Sequence, residues 1–190
     1  DERWTIMDIK KMFWHLNLLF RTYKFKHIGS CCYMGKPLSL VGTKNISLGN
    51  RVRIYPGCRM ETHKGGQIII EDDCSIAQNF HVTSGDLPLV IGKKTTILGN
   101  VFITNIDHEY QKIDTHIMEQ PMIYKKTVIG ENCFIGFGAA IQAGTVLGKQ
   151  CVVGTNAVVR GTYPDYSVIV GVPAKIVKRY NKETGKWERQ

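Results

Sequence analysis

The 190-residue chain carries 25 Lys and Arg against 16 Asp and Glu, a formal net charge of +9, with 43% hydrophobic and 22% charged residues. The length suits one domain with a substantial core, and the absence of a long uninterrupted apolar run excludes a membrane-spanning helix. The positive charge admits nucleic acid, an anionic membrane surface or a phosphorylated small ligand. The basic residues are dispersed and cluster only near the two ends, without a basic stripe interleaved with aromatics, which favours the phosphorylated ligand and argues against nucleic acid.

Residues 4–20, WTIMDIKKMFWHLNLLF, read as a helix. Ile6, Ile9, Phe13, Leu16 and Phe20 fall on one apolar face, Thr5 and Asp8 form an N-terminal capping pair, and Trp14, Leu18 and Leu19 widen the apolar surface. Such a helix packs on the remaining structure or, given Lys10, Lys11, Arg21, Lys24 and Lys26, lies in a membrane interface. Lys10 and Lys11 in the middle of this stretch argue against a secretory signal. Residues 1–27 are expected to form an N-terminal helical segment.

From residue 28 onward the dominant signal is a repeat of six. Leu48 and Ile54 begin it; Ile70, Ile76 and Val82 form one run, and Ile91, Ile97 and Ile103 another. Ile129, Ile135, Ile141, Leu147, Val153 and Val159 continue it without a break, with glycine after four of these six positions. Small residues recur four positions on, as at Cys133, Ala139, Thr145, Cys151 and Ala157. A period of six matches neither the helical nor the strand period. It suits a coil of three short flat sides, each aliphatic residue pointing into a narrow core and each coil burying the face of the next. Glycine would serve where a turn needs unusual dihedrals or leaves no room for a side chain. Cys58, Cys74, Cys133 and Cys151 occupy small-residue positions, no CxxC spacing occurs, and the six cysteines are expected to be reduced.

THKGGQ (62–67) and SGDLPL (84–89) disturb the spacing slightly and read as turns. Residues 104–127 are a longer excursion, in which Asp107-His108-Glu109-Tyr110 stands where aliphatic residues would continue the repeat. Long loops on rigid scaffolds tend to carry function. The segment GTYPDYSVIVGVPAKIVKRY ends the repeat, and 181–190 read as a polar tail or short hairpin.

The hexads resemble the hexapeptide-repeat acyltransferases, and over roughly residues 40–180 the His108 loop and the closing motif VGVPAKIVK are similar to the sugar and xenobiotic O-acetyltransferase branch. The resemblance implies a mainly β fold: a left-handed parallel β-helix over residues 28–180 with a short N-terminal helix and an excursion loop. It implies acetyl-CoA as co-substrate and His108 as the general base that deprotonates an acceptor hydroxyl, since a neutral imidazole suits that task. The oxyanion would be met by a backbone N–H, matched here by Phe137. Asp107 or Glu109 would orient the imidazole. Phe134, Phe137 and Thr155 match the pantetheine groove, and Arg160, Lys175 and Lys178 match the phosphate and adenine end. Gln78, with Asn79 beside it, matches an acceptor-binding position; Asp107 also falls near the acceptor, and His81 should face outward from its coil. Members of the family are typically trimers with active sites between subunits. The implied function is acetyl transfer to a saccharide hydroxyl in the cytoplasm, near the inner face of the membrane, without a metal. An amino-sugar N-acyltransferase remains open. A γ-class carbonic anhydrase, which would need His81, His108 and His116 around a metal, and a non-catalytic solenoid are the further alternatives.

Overall fold

The computed structural model describes residues 9–190. Each coil of the chain contributes one short strand to each of three parallel sheets, here called A, B and C in chain order. Sheet C has six strands, one per complete coil, and A and B continue into a seventh. The register reproduces the hexad: Ile129 pairs with Leu147 in sheet A, Ile135 with Val153 in sheet B, and Ile141 with Val159 in sheet C. Three hexads therefore make one 18-residue coil. Upstream, the Leu48–Ile70 and Ile70–Ile91 pairings lengthen the coil to 22 and 21 residues, the extra residues falling in the two disturbed turns.

All six aliphatic residues of the long run are buried, as are Ile70, Ile76, Val82, Ile91, Ile97 and Ile103 above them. Cys58, Cys74, Cys133 and Cys151 are buried free thiols among them. Burial pushes the Cys58 and Cys74 thiols up to about 11, as expected for small core residues kept from water.

The hexad glycines answer to space rather than to dihedral angle. A Cβ on Gly136 would sit 2.6 Å from the Thr155 nitrogen in the next coil. The left-handed corners are instead taken largely by side-chain-bearing residues, among them Asp73, Asn79, Asn100, Asn132 and Asn156. Asn and Asp tolerate that region best after glycine.

Helix α1 spans Ile9–Leu19; Ile6 and the capping pair Thr5 and Asp8 lie outside the described residues. The helix covers the first coil, but with a different face from the one the spacing suggested. Trp14 stacks with Tyr33 and Tyr55, His15 Nδ1 donates to the Cys32 carbonyl at 2.5 Å, and Leu18 is buried. Ile9, Phe13 and Phe20 remain 78%, 64% and 79% exposed. The helix has two apolar stripes, and the aromatic cluster with Tyr33 and Tyr55 selects the one that docks.

At the other end, Ala174–Asn181 runs antiparallel to Ser167–Gly171 and pairs in turn with Lys186–Arg189. The C-terminal residues thus form a hairpin that extends sheet B. No helix among the described residues is long and apolar enough to cross a membrane.

Replacing Ile141 by Ala should lower unfolding free energy by about 3 kcal/mol, measured by urea titration, because a fully buried side chain is lost from a core that cannot collapse around it.

Candidate active site

At the fourth coil the regular stack opens. Ile91 pairs with Ile129, so this coil spans 38 residues and inserts an excursion of twenty relative to the coil below. The excursion leaves sheet C after Phe102–Thr104 and re-enters sheet A at Thr127–Ile129. Its root is a two-stranded antiparallel ladder in which Ile106, Asp107 and His108 oppose Tyr124, Ile123 and Met122.

Three buried polar residues hold it. Asn105, fully buried, accepts from the Gly85 N–H at 2.8 Å and donates from Nδ2 to the Leu87 carbonyl at 2.8 Å and to the Gly85 carbonyl at 3.2 Å. Thr127 donates to the Thr104 carbonyl and accepts from the Gly144 N–H, tying the return point to the coils on either side. Inside the excursion the Gln120 amide accepts from the Lys112 N–H and donates to the Lys112 and Thr115 carbonyls. The reading of the sequence missed all three. The signal for Asn105 was present: two residues after Ile103 it stands where the next coil has Ala143 after Ile141.

His108 is half-buried on this ladder. Its Nδ1 is buried and has no hydrogen-bond partner among the described residues. Neither neighbouring carboxylate orients it. Asp107 accepts the His108 N–H at 3.0 Å through Oδ1, and Oδ2 is held by Lys125 at 3.1 Å and Arg160 at 2.8 Å. Glu109 accepts the Tyr110 and Gln111 N–H groups. The Asp107 carboxylate therefore ties the ladder to its return strand and to the sixth coil. The expectation that it orients the imidazole is corrected, since both of its oxygens are engaged by the His108 N–H and by two cations. The expectation for Arg160 changes with it: the guanidinium sits at the base of the excursion rather than with Lys175 and Lys178.

The remaining expected residues lie elsewhere on the triangle. Gln78, Phe137 and Thr155 lie at the third, fifth and sixth levels of the corner between sheets B and C, and Gly99 stands at the fourth, where a Cβ would touch both the Gln78 amide and the Phe137 ring. Asn79 is part of that corner's framework, with φ of 57° and its Nδ2 donating to Asn100 Oδ1. Phe134 is exposed on sheet B, and the register places Phe134, Val152, Val168 and Lys178 in one cross-strand row. Lys175 lies on the same closing strand, opposite Val170.

Between the two corners lies the outer face of sheet C, where Arg59, His81 and Phe102 are successive partners. His81 faces outward, as its place beside buried Phe80 suggested, stacks edge-on against Phe102 and contacts Thr83 Oγ1 at 3.2 Å. Its burial, with Arg59 nearby, lowers its pKa. His116 instead accepts the Met118 N–H in the excursion. Among the described residues no three His, Cys, Asp or Glu side chains converge on one point.

Lys125 beside Asp107 holds its carboxyl below the usual carboxylate range. A depressed folded pKa means that the tie is intact at neutral pH and is lost as pH falls through that lowered value. Asp107→Asn removes it at every pH. Hydrogen exchange at 106–108 and 122–124 should therefore quicken in the variant at pH 7, and in the parent protein only in acid.

Comparison with known proteins bears on the same residues. Residues 126–161 match the family model described as bacterial transferase hexapeptide (six repeats). The chain is 33% identical over 168 residues to WbbJ of Escherichia coli K12, provisionally named a lipopolysaccharide biosynthesis O-acetyl transferase, covering 84% of this chain and 85% of WbbJ. It is 29% identical to the dTDP-4-amino-4,6-dideoxy-D-glucose acyltransferase of Escherichia coli, with 84% of each covered. Among solved structures it superposes on AntD, an N-acyltransferase from Bacillus cereus in complex with dTDP and 3-hydroxybutyryl-CoA, with a TM-score of 0.75. That match is 19% identical over 88% of this chain and 90% of AntD, and it bears on the fold alone. The unbroken hexads, the three-sheet coil and the extent of the WbbJ match agree: the chain belongs to the hexapeptide-repeat acyltransferase family, folded as a left-handed parallel β-helix.

Proposed function

We propose that the protein is an acetyl-CoA-dependent O-acetyltransferase acting on a saccharide hydroxyl. The observation that carries this reading is the excursion itself: a rigid, well-anchored ladder that presents one half-buried imidazole at the edge of an otherwise regular solenoid. The similarity to WbbJ supports the same chemistry.

In the proposed reaction His108 accepts the proton of the acceptor hydroxyl as its oxygen attacks the thioester carbonyl. A C–O bond forms, the C–S bond breaks, and the proton leaves with the thiol of CoA. The Phe137 N–H donates to no carbonyl among the described residues, so it is free to meet the oxyanion. The surface of sheet B fits the co-substrate: Phe134 offers an apolar stop for the pantetheine arm, Val152 and Val168 continue the row, and Lys178 ends it roughly 15 Å away, with Lys175 for the phosphates. Gln78 and the outward polar groups of sheet C, Arg59 and His81, suit the hydroxyls of a sugar.

In one chain His108 and the Phe137 corner lie on different edges of the triangle, separated by the width of sheet C, on the order of 15 Å. A homotrimer that sets His108 of one copy against the Phe137 corner of the next would unite them. A second reading is acyl transfer to the amine of an amino sugar, favoured by the similarity to the dTDP-amino-sugar acyltransferase. The same base serves both.

His108→Ala should lower kcat by at least about a thousandfold, while acetyl-CoA affinity measured by titration calorimetry stays within about twofold. Lys178→Glu should do the reverse, weakening CoA binding with kcat nearly kept. Thiol release from acetyl-CoA over a panel of hydroxyl and amino sugars distinguishes the two readings. Equal loss of CoA binding in His108→Ala would remove the catalytic assignment.

A further inference from the structure

The positive charge of the chain is segregated. Residues 9–60 hold ten Lys and Arg and no Asp or Glu, whereas residues 61–190 hold 14 against 13. Asp1, Glu2 and Asp8 lie outside the described residues. Within the basic block, Arg51 pairs with Asp73 of the third coil and Arg59 with Glu61 of the second. Among the described residues Lys26 and Lys44 donate only to neutral oxygens, those of Gln67 and the Tyr23 carbonyl. Lys10, Arg21 and Lys24 are exposed on or just after α1. The block is thus a basic cap on one end of the solenoid.

The same cap displays the unused apolar stripe of α1. Ile9, Phe13, Leu16 and Phe20 recur at helical spacing on the side away from Trp14 and Leu18, and Met12, Leu19 and Tyr23 flank them, all exposed. A helix docked by one stripe and bare on the other, with cations along its margin and no acidic residue on it, has the composition of an interfacial helix.

We infer that α1 and the basic end of the solenoid form a docking surface for an anionic lipid bilayer, with Phe13 and Phe20 entering the interfacial region and Arg21, Lys24 and Lys26 meeting lipid phosphates. The charge fits one occupant. A second copy of this cap would bring like charges together across the apolar stripe, whereas a negatively charged bilayer satisfies both the stripe and its basic margin. This surface does not depend on the acyl-transfer reading, because Phe13, Phe20, Arg21, Lys24 and Lys26 are not among the residues of that site.

Co-sedimentation of the full chain with phosphatidylcholine vesicles, with or without about 30 mol% phosphatidylglycerol, tests it. Binding is expected only to the anionic vesicles and is expected to be released by about 0.5 M salt. Arg21→Glu with Lys24→Glu should weaken binding at least about tenfold, and Phe13→Ser with Phe20→Ser should abolish it. Both pairs are exposed, so the thermal melt of each variant should match the parent and exclude misfolding as the cause. Absence of binding to anionic vesicles, or equal binding to neutral ones, overturns the proposal. So does a fall in solution mass for Phe13→Ser with Phe20→Ser, read by light scattering, since a second copy would then cover the stripe.

Discussion

Everything else in this molecule depends on one constraint, the vertical stacking of like on like once per coil. Each aliphatic residue lies directly over its counterpart in the next coil, and each backbone edge is satisfied by the coil beneath. The core is only as wide as one side chain from each face, so no bulky polar group fits inside and no coil can shift register alone. Glycine at the position after the aliphatic residue follows from the same constraint, because coil-to-coil spacing leaves no room for a Cβ where the backbone turns.

That rigidity explains how a twenty-residue excursion can leave the stack without disordering it. The coil above and the coil below remain paired across the insertion, Ile97 to Ile135 and Ile103 to Ile141, so the excursion starts and ends at fixed points. Asn105 and Thr127 replace the backbone bonds that a regular corner would have made. The ladder then needs only short local ties, and the Asp107 bridge to Lys125 and Arg160 supplies one that spans the excursion, its return strand and the sixth coil. His108 inherits its position from these neighbours, through its backbone, rather than from a hydrogen bond to its ring.

The coil architecture was legible because its signal is periodic: the spacing of Ile129 through Val159 maps one to one onto the sheets. His108 stood out because a polar cluster broke that period. What the spacing could not carry was side-chain choice among competing partners. Asp107 is adjacent to His108 in sequence, yet its carboxylate goes to Lys125 and Arg160, 18 and 53 residues away. Helix α1 shows a similar limit: an apolar stripe indicates that a face is able to bury, and only the aromatic rings of Tyr33 and Tyr55 determine which of two stripes does. Nor does linear order reveal that Gln78 and Phe137 share a corner that His108 does not.

A stack of parallel strands has no inherent stopping point, because its terminal rungs are templates for another coil. In sheet B this chain closes both. At one end α1 lies across the first rung of sheet B. At the other, the closing strand reverses direction, so that the next rung offered is antiparallel, and the outermost strand carries Lys186, Glu188 and Arg189. An incoming parallel rung finds neither the matching polarity nor an uncharged border. The two segments thus bound sheet B in a fold that is otherwise a segment of a fibre.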